Sequence, residues 1–193
     1  MIYEKEITVE ISCNEKELLN ILKTNNFKIK EQYDLIDYYL IKDYDSNIDE
    51  IELLKQCILI RHIIKENNEI KLITYKYKEI NEKGEIINQG KINCKIESID
   101  DAINIFEAIG YTKIMEIKDH ITVYANNDTK LSVQQVNNKH TYIEIEDKCH
   151  FINKTYSNID EMKNEIRKYN IPIKDNNYFV KKAVIELKEI YNW

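Results

Sequence analysis

Two acidic pairs, Glu4/Glu6 and Glu144/Glu146, stand two residues apart in stretches that alternate polar with apolar side chains. In residues 3–11 the odd positions hold Tyr3, Lys5, Ile7, Val9 and Ile11, and the even ones Glu4, Glu6, Thr8 and Glu10. In 142–147 Ile143 and Ile145 oppose Tyr142, Glu144 and Glu146. A period of two is that of a strand, so each pair shares one face, its members about 6–7 Å apart. Carboxylates are hard-oxygen ligands for divalent cations, and Lys or Arg takes phosphate oxygens. Polar faces that mix Glu with Lys therefore suit a metal-bound polyanion, although on a single strand such a face is ordinarily just solvated.

The elements that would position these faces are legible from periodicity and caps. Strands are predicted near 3–11, 34–42, 56–65, 69–79, 85–97, 112–124, 128–137 and 142–147. In 112–124 Ile117, Ile121 and Val123 oppose Glu116, Lys118, His120, Thr122 and Tyr124. Asn126-Asn127-Asp128 and 137–140 read as hairpin turns, and 43–50 as an acidic surface loop. Asn14 with Glu17, Ser98 with Asp101 and Asn158 with Glu161 are capping pairs that open three helices, the second stopped by Gly110 and the third near Tyr169. A fourth helix is predicted over 176–191. This is an α+β chain. Helices need apolar sheet surface to pack on; if they take the apolar faces, the polar faces look at one another. The expected result is an antiparallel, eight-stranded closed barrel, a tunnel with a charged lumen and flanking helices. With three glycines, one proline and no linker-like stretch, 1–193 reads as one domain.

Composition excludes other classes. No GxxxxGK[ST], GxGxxG or GxSxG sequence occurs, against a P-loop, a dinucleotide fold or a nucleophile elbow. The net charge is −6 and Arg61 and Arg167 are the only arginines, a poor endowment for nucleic-acid binding. No apolar run is long enough to span a membrane, and the first residues lack the apolar core of a secretion signal. Cys13, Cys57, Cys94 and Cys149 form no CxxC and read as four small buried thiols. A cytoplasmic location is expected.

In order and spacing, the motifs resemble one family over about 180 residues. Glu4-Lys5-Glu6-Ile7-Thr8 resembles the N-terminal ExExK signature of the CYTH superfamily, which holds the class IV adenylate cyclases and thiamine triphosphatases, the triphosphate tunnel metalloenzymes. Ile58-Leu59-Ile60-Arg61 is similar to its LRIR, Ile73-Thr74-Tyr75-Lys76 to its LTYK, and Phe106–Tyr111 to its LxxLGF. Ile117-Lys118-Asp119-His120 resembles its VxKxR strand, Tyr142–Glu146 its FVEIE, and Asn176-Asn177-Tyr178 the KSY that opens its last helix. The departures fall mainly on basic positions: Thr8, Leu59, Asn93 and His120 stand where the family carries Lys or Arg, and Gln134-Gln135 where it carries acids.

The resemblance implies a lumen keeping Glu4, Glu6, Glu97, Glu144 and Glu146 against Lys76, Lys118 and Arg61. It assigns Glu4, Glu6, Glu144 and Glu146 to a divalent metal, Mg²⁺ or Mn²⁺, and Lys76, Lys118 and Arg61 to phosphate. The implied activity is metal-dependent processing, foremost hydrolysis, of a small triphosphate such as inorganic or thiamine triphosphate. Two readings stand beside it: a tunnel that binds metal and an anionic phosphorylated ligand without turnover, and a class IV-type cyclase. His120 reads equally as a partial stand-in for a lost base or as a hydrogen-bonded strand residue. His62, His140 and His150 read as surface or turn residues. Ile-rich outer faces left bare by helices would offer a homodimer interface.

Overall fold

The computed structural model describes the backbone of residues 2–43, 49–82 and 86–191; the side chains of residues 2–4, 80, 86–88 and 149 lie outside that description. Its main sheet is formed by β1 (Ile2–Glu4), β2 (Glu6–Glu10), β3 (Lys28–Lys42), β4 (Ile58–Lys65), β5 (Asn68–Ile80), β6 (Ile86–Lys95), β7 (Tyr111–Ala125), β8 (Lys130–Val136) and β9 (His140–Glu146). The order is β1-β6-β5-β4-β3-β7-β8-β9-β2, antiparallel throughout the described pairings. β1 and β2 are one strand interrupted at Lys5, so eight strands make the sheet. The expected closed barrel is here a curled half-barrel. Its two end strands both belong to the N-terminal segment: Glu4 stands opposite Gln89 on one edge and Glu6 opposite Glu146 on the other. A short ribbon, β10 (Lys148–Cys149) with β11 (Lys154–Thr155), follows.

The capping pairs act as expected. The side chains of Asn14, Ser98 and Asn158 accept from the backbone N–H of Glu17 (3.0 Å), Asp101 (3.1 Å) and Glu161 (3.0 Å). They open α1 (Glu15–Thr24), α3 (Ile99–Ala108) and α4 (Ile159–Lys168). Gly110, at φ 93°, ends α3 in the left-handed region that glycine tolerates best.

Apolar burial sorts the faces. Ile7 and Val9 of β2, Leu131 and Val133 of β8, and Ile143 and Ile145 of β9 are buried against Leu18 and Leu22 of α1 and Met162 and Ile166 of α4. Leu40 of β3 and Ile60 of β4 pack against Ala102 of α3. The opposite faces of these strands are left to look inward. Leu187 of α5 (Lys182–Tyr191) and Leu53 of α2 (Glu50–Gln56) share a third cluster with Tyr39, Leu59 and Ile117.

Three expectations about elements are corrected. α2 fills the stretch between the predicted loop 43–50 and the predicted strand 56–65, where no helix was expected, and the strand follows it at Ile58–Lys65. Asp49 caps it, its carboxylate accepting from Ile51 N–H at 3.0 Å and Glu52 N–H at 3.3 Å; residues 44–48 of that loop lie outside the described residues. α5 starts at Lys182, not 176, because Asp175 and Asn176 have φ of 54° and 50° and break the turn. Between them and α5 the chain runs extended beside β2, with Thr8 N–H donating to Tyr178 C=O (3.2 Å) and Val180 N–H to Thr8 C=O (3.0 Å). β3 begins six residues before the predicted 34, its polar first half being held by β7. The four buried thiols are corrected as well: Cys57 is buried, Cys13 half-buried and Cys94 exposed, while the Cys149 side chain lies outside the described residues.

Candidate functional site

The inward faces enclose a cavity of about 210 Å³. Strand alternation sorts its wall into sectors. Arg61 on β4, Lys76 and Lys78 on β5 and Lys91 on β6 form a cationic side. Glu6 and Thr8 on β2 and Glu144 and Glu146 on β9 form an acidic side, with Gln134 of β8 beside it. Between these sides β3 and β7 present Tyr33, Leu35, Asp37 and Tyr39, and Ile117, Asp119 and Ile121. Residues 181–184, around the start of α5, and Ile51, Leu54 and Lys55 of α2 complete the wall. In sum five acids face seven Lys or Arg, so the cavity is net positive inside a chain whose net charge is −6.

Each of the five acids has a cationic or amide partner. Arg61 grips Asp37 with both ends of its fork, Nε to Oδ1 at 2.7 Å and Nη2 to Oδ2 at 2.6 Å. Burial disfavours the Asp37 charge, but Arg61 outweighs it and holds the carboxyl below its ordinary range. Lys182 reaches Glu144 at 2.9 Å and Asp119 at 3.5 Å and also donates to the Gln134 amide oxygen. Burial opposes the charge of Glu144, yet Lys182 brings its pKa down to about 2. Glu146 pairs with Lys130 at 2.8 Å, and Glu6 accepts from the Gln89 side chain.

Burial works against the charge of three groups. Burial first, and then the Arg61 charge, push the Lys76 ammonium down to about 7; burial lowers Lys78 as well. Burial lifts Asp119 to about 6 despite Lys182, and its Oδ1 has no hydrogen-bond partner among the described residues.

Of the residues singled out from sequence, Glu6, Glu144, Glu146, Lys76 and Arg61 meet in this cavity. The Glu4 side chain lies outside the described residues. Lys118 does not belong: its side chain is 67% exposed and lies 3.3 Å from Glu116 on the outer face of β7. The face expected to look inward on β7 looks out, because its cavity side, carrying Ile117, Asp119 and Ile121, is itself mostly apolar. Glu97 is likewise exposed, two residues past the end of β6. His120 bonds Asp34 at 2.7 Å on the same outer face as Lys118. His62 lies beside Glu69 at 3.2 Å, and His150 is exposed. His140 departs from the surface reading: it stands between Glu10 at 3.2 Å and Glu189 at 2.8 Å.

Asp37, Lys78, Lys91, Asp119 and Lys182 were missed. Lys78 was within reach, since it shares the parity of Lys76. Asp119 was hidden by the inverted face. Lys182 comes from no strand; only the passage of Tyr178–Val180 alongside Thr8 carries it in.

Among the described residues no three Asp, Glu, His or Cys side chains converge into a cation cage. Mg²⁺-type sites ordinarily use one or two carboxylates and take further oxygens from bound phosphate. Glu6 and Glu146, directly opposite across β2 and β9, fit that sparser donor set.

The same fold recurs in solved structures of low sequence identity. A protein from Pyrococcus horikoshii OT3 superposes with a TM-score of 0.69 at 15% identity, over 96% of this chain and 99% of that one. A candidate adenylate cyclase from Vibrio parahaemolyticus gives 0.62 at 13% identity, over 95% and 97%. A candidate adenylyl cyclase from Hippeastrum, with a dominant triphosphatase activity, gives 0.53 at 11% identity, over 94% of each chain. At such identities the likeness is one of fold, a fold that cyclase-named and triphosphatase proteins share. No family model matches the sequence, and no curated protein does. Among the described residues no helix is long and apolar enough to cross a membrane.

Proposed function

We propose that the chain is a divergent CYTH-type tunnel protein that takes a small triphosphate, or a comparable phosphorylated anion, into this cavity and hydrolyses it with Mg²⁺ or Mn²⁺. The observation that carries the reading is a net positive cavity in an acidic chain, in which burial first, and then repulsion from Arg61, push the Lys76 ammonium down to about 7. A polyanion would remove that repulsion. Arg61, Lys76, Lys78 and Lys91 would hold phosphate oxygens along one wall, and Lys182 would approach from α5. Arg61 and Lys76 are basic positions the family resemblance retains, and Lys78, Lys91 and Lys182 would add charge where Thr8 and Leu59 supply none. Glu6 and Glu146 would hold the cation, which supplies Lewis-acid polarisation of a phosphoryl oxygen when bound.

A second reading has its own support. Glu144 is committed to Lys182 and Glu146 to Lys130, so the acids already have cationic partners. That favours a tunnel that binds a phosphorylated anion without turning it over.

The deciding experiment is phosphate release from tripolyphosphate, thiamine triphosphate and ATP with Mg²⁺, Mn²⁺ or EDTA. Cyclic nucleotide is followed in the ATP arm, and a Glu144→Gln/Glu146→Gln variant runs beside the wild type. Metal-dependent release absent from the variant is expected. Ligand-dependent thermal stabilisation without release would select the binding tunnel, and neither signal would refute both readings.

A further inference from the structure

Asp119 is the cavity carboxylate that holding phosphate does not use. It sits in the middle of β7, opposite Leu35 on β3 and Val136 on β8. It is 4% exposed and faces the cavity. Lys182 lies 3.5 Å from Oδ2, whereas Oδ1 has no hydrogen-bond partner among the described residues. A buried carboxylate oxygen without a donor keeps the whole cost of its lost hydration. Phosphate cannot relieve this, because ionised phosphate oxygens only accept and carry the same sign of charge. The neighbouring wall is equally foreign to phosphate: Leu35, Ile117 and Ile121 surround Asp119 with apolar surface. An inorganic polyphosphate would therefore match the cationic sector and leave this one unmatched.

We infer that the ligand is an organic phosphate whose non-phosphate part places an N–H or O–H donor on Asp119 Oδ1 and an apolar face against Leu35, Ile117 and Ile121. The inference rests on the phosphate-binding reading and narrows its substrate class. Its logic is that of any site built around one buried polar group: an analogue lacking the partner leaves that group unpaired and is rejected. The cavity is small, about 210 Å³, so the group that meets Asp119 is the part of the organic moiety next to the phosphates.

The test is calorimetric titration of the full chain with inorganic tripolyphosphate, thiamine triphosphate and ATP. Wild type is compared with Asp119→Ala and with the isosteric Asp119→Asn, which keeps the shape if the alanine variant folds poorly. At least one of the two organic triphosphates should bind wild type about tenfold or more tighter than tripolyphosphate, the scale of one hydrogen bond to a charged group. Asp119→Ala should erase that advantage, and Asp119→Asn should reduce it. Tripolyphosphate should bind both variants as well as wild type or better, since a negative charge has gone. Tripolyphosphate binding as tightly as both organic ligands, or an organic advantage that survives both substitutions, would overturn the inference and leave the phosphate reading standing. Failure of all three ligands to bind would overturn both.

Discussion

Arg61 illustrates how one residue serves two needs. Its fork is filled by Asp37, and both side chains are nearly buried, at 14% and 8% exposure. The pair keeps a charge in the cavity wall without leaving it bare. Removing one partner strands the other, which typically costs about 3–5 kcal/mol in a buried pair, whereas replacing both by apolar residues is often neutral. Asp37→Leu should therefore lower unfolding free energy by about 3 kcal/mol, and Asp37→Leu/Arg61→Met should recover most of it in urea melts. Equal losses in the single and double variants would show that the pair is not the unit. Lys76 makes a second prediction at this scale. Burial and the Arg61 charge hold its pKa at about 7, and a polyanion beside it would raise that value. Binding then takes up a proton at pH above about 7, and affinity falls as pH rises further. Titration in buffers of different protonation enthalpy should reveal that uptake, and Lys76→Met should lose it.

α5 is the element that finishes the cavity, and its far half is tied down by polar contacts. Glu189 takes His140 at 2.8 Å and Lys139 at 2.6 Å, while Tyr191 donates to Ile114 C=O at 3.1 Å. Burial opposes a charge on His140, but Glu189 and Glu10 outweigh it and raise its pKa. The folded form thus holds the proton more tightly than the unfolded chain. That stabilisation is complete below the unfolded value of about 6.5 and is lost as pH rises through the higher folded one. His140→Gln should cost about 1 kcal/mol near pH 5.5 and much less near pH 8.5, compared by denaturant midpoints. A loss equal at both ends would leave the histidine a mere spacer. Elements also explain what the sequence could and could not reveal. β2 and β9 were legible because Ile7, Val9, Ile143 and Ile145 lie under α1 and α4, leaving an all-polar inner face. β7 was not, because among the described residues no helix covers its outer stretch around Lys118 and His120, while Ile117 and Ile121 line the cavity. The alternation is identical in both cases; only the side that receives a helix differs, and that is decided by residues far away in the chain. The path that delivers Lys182 is long-range in the same way. α2 did carry a local signal, Asp49 ahead of Glu52, submerged in an acidic run.

For the whole molecule, the outer shell and the lumen impose opposite demands. Ile7, on the outward face of β2, is fully buried, and truncation to Ala should cost about 2–5 kcal/mol, the range for core deletions. Lys76, on the inward face of β5, works the other way: its charge is disfavoured in the fold, and the unfolded chain binds its proton more readily. Between pH of about 7 and the ordinary Lys value of about 10.4, stability of the ligand-free protein rises as the pH is raised, because the unfolded state then holds more protons. The penalty is largest below that window, where Lys76 is charged in both states. Replacement by an apolar side chain of similar length removes it. Lys76→Met should therefore stabilise the ligand-free protein by about 1–4 kcal/mol at neutral pH, the range seen when buried charges give way to apolar residues. The same variant should bind tripolyphosphate at least about tenfold more weakly, so added ligand stabilises it less than it does wild type, by mass action on the folded state. Parallel urea melts with and without tripolyphosphate would measure both effects in one experiment. A gain in ligand-free stability together with a loss of ligand-induced stability is what a cavity kept cationic for an anion requires. A variant less stable than wild type in both conditions would make Lys76 a structural cation, held by its neighbours rather than set against them.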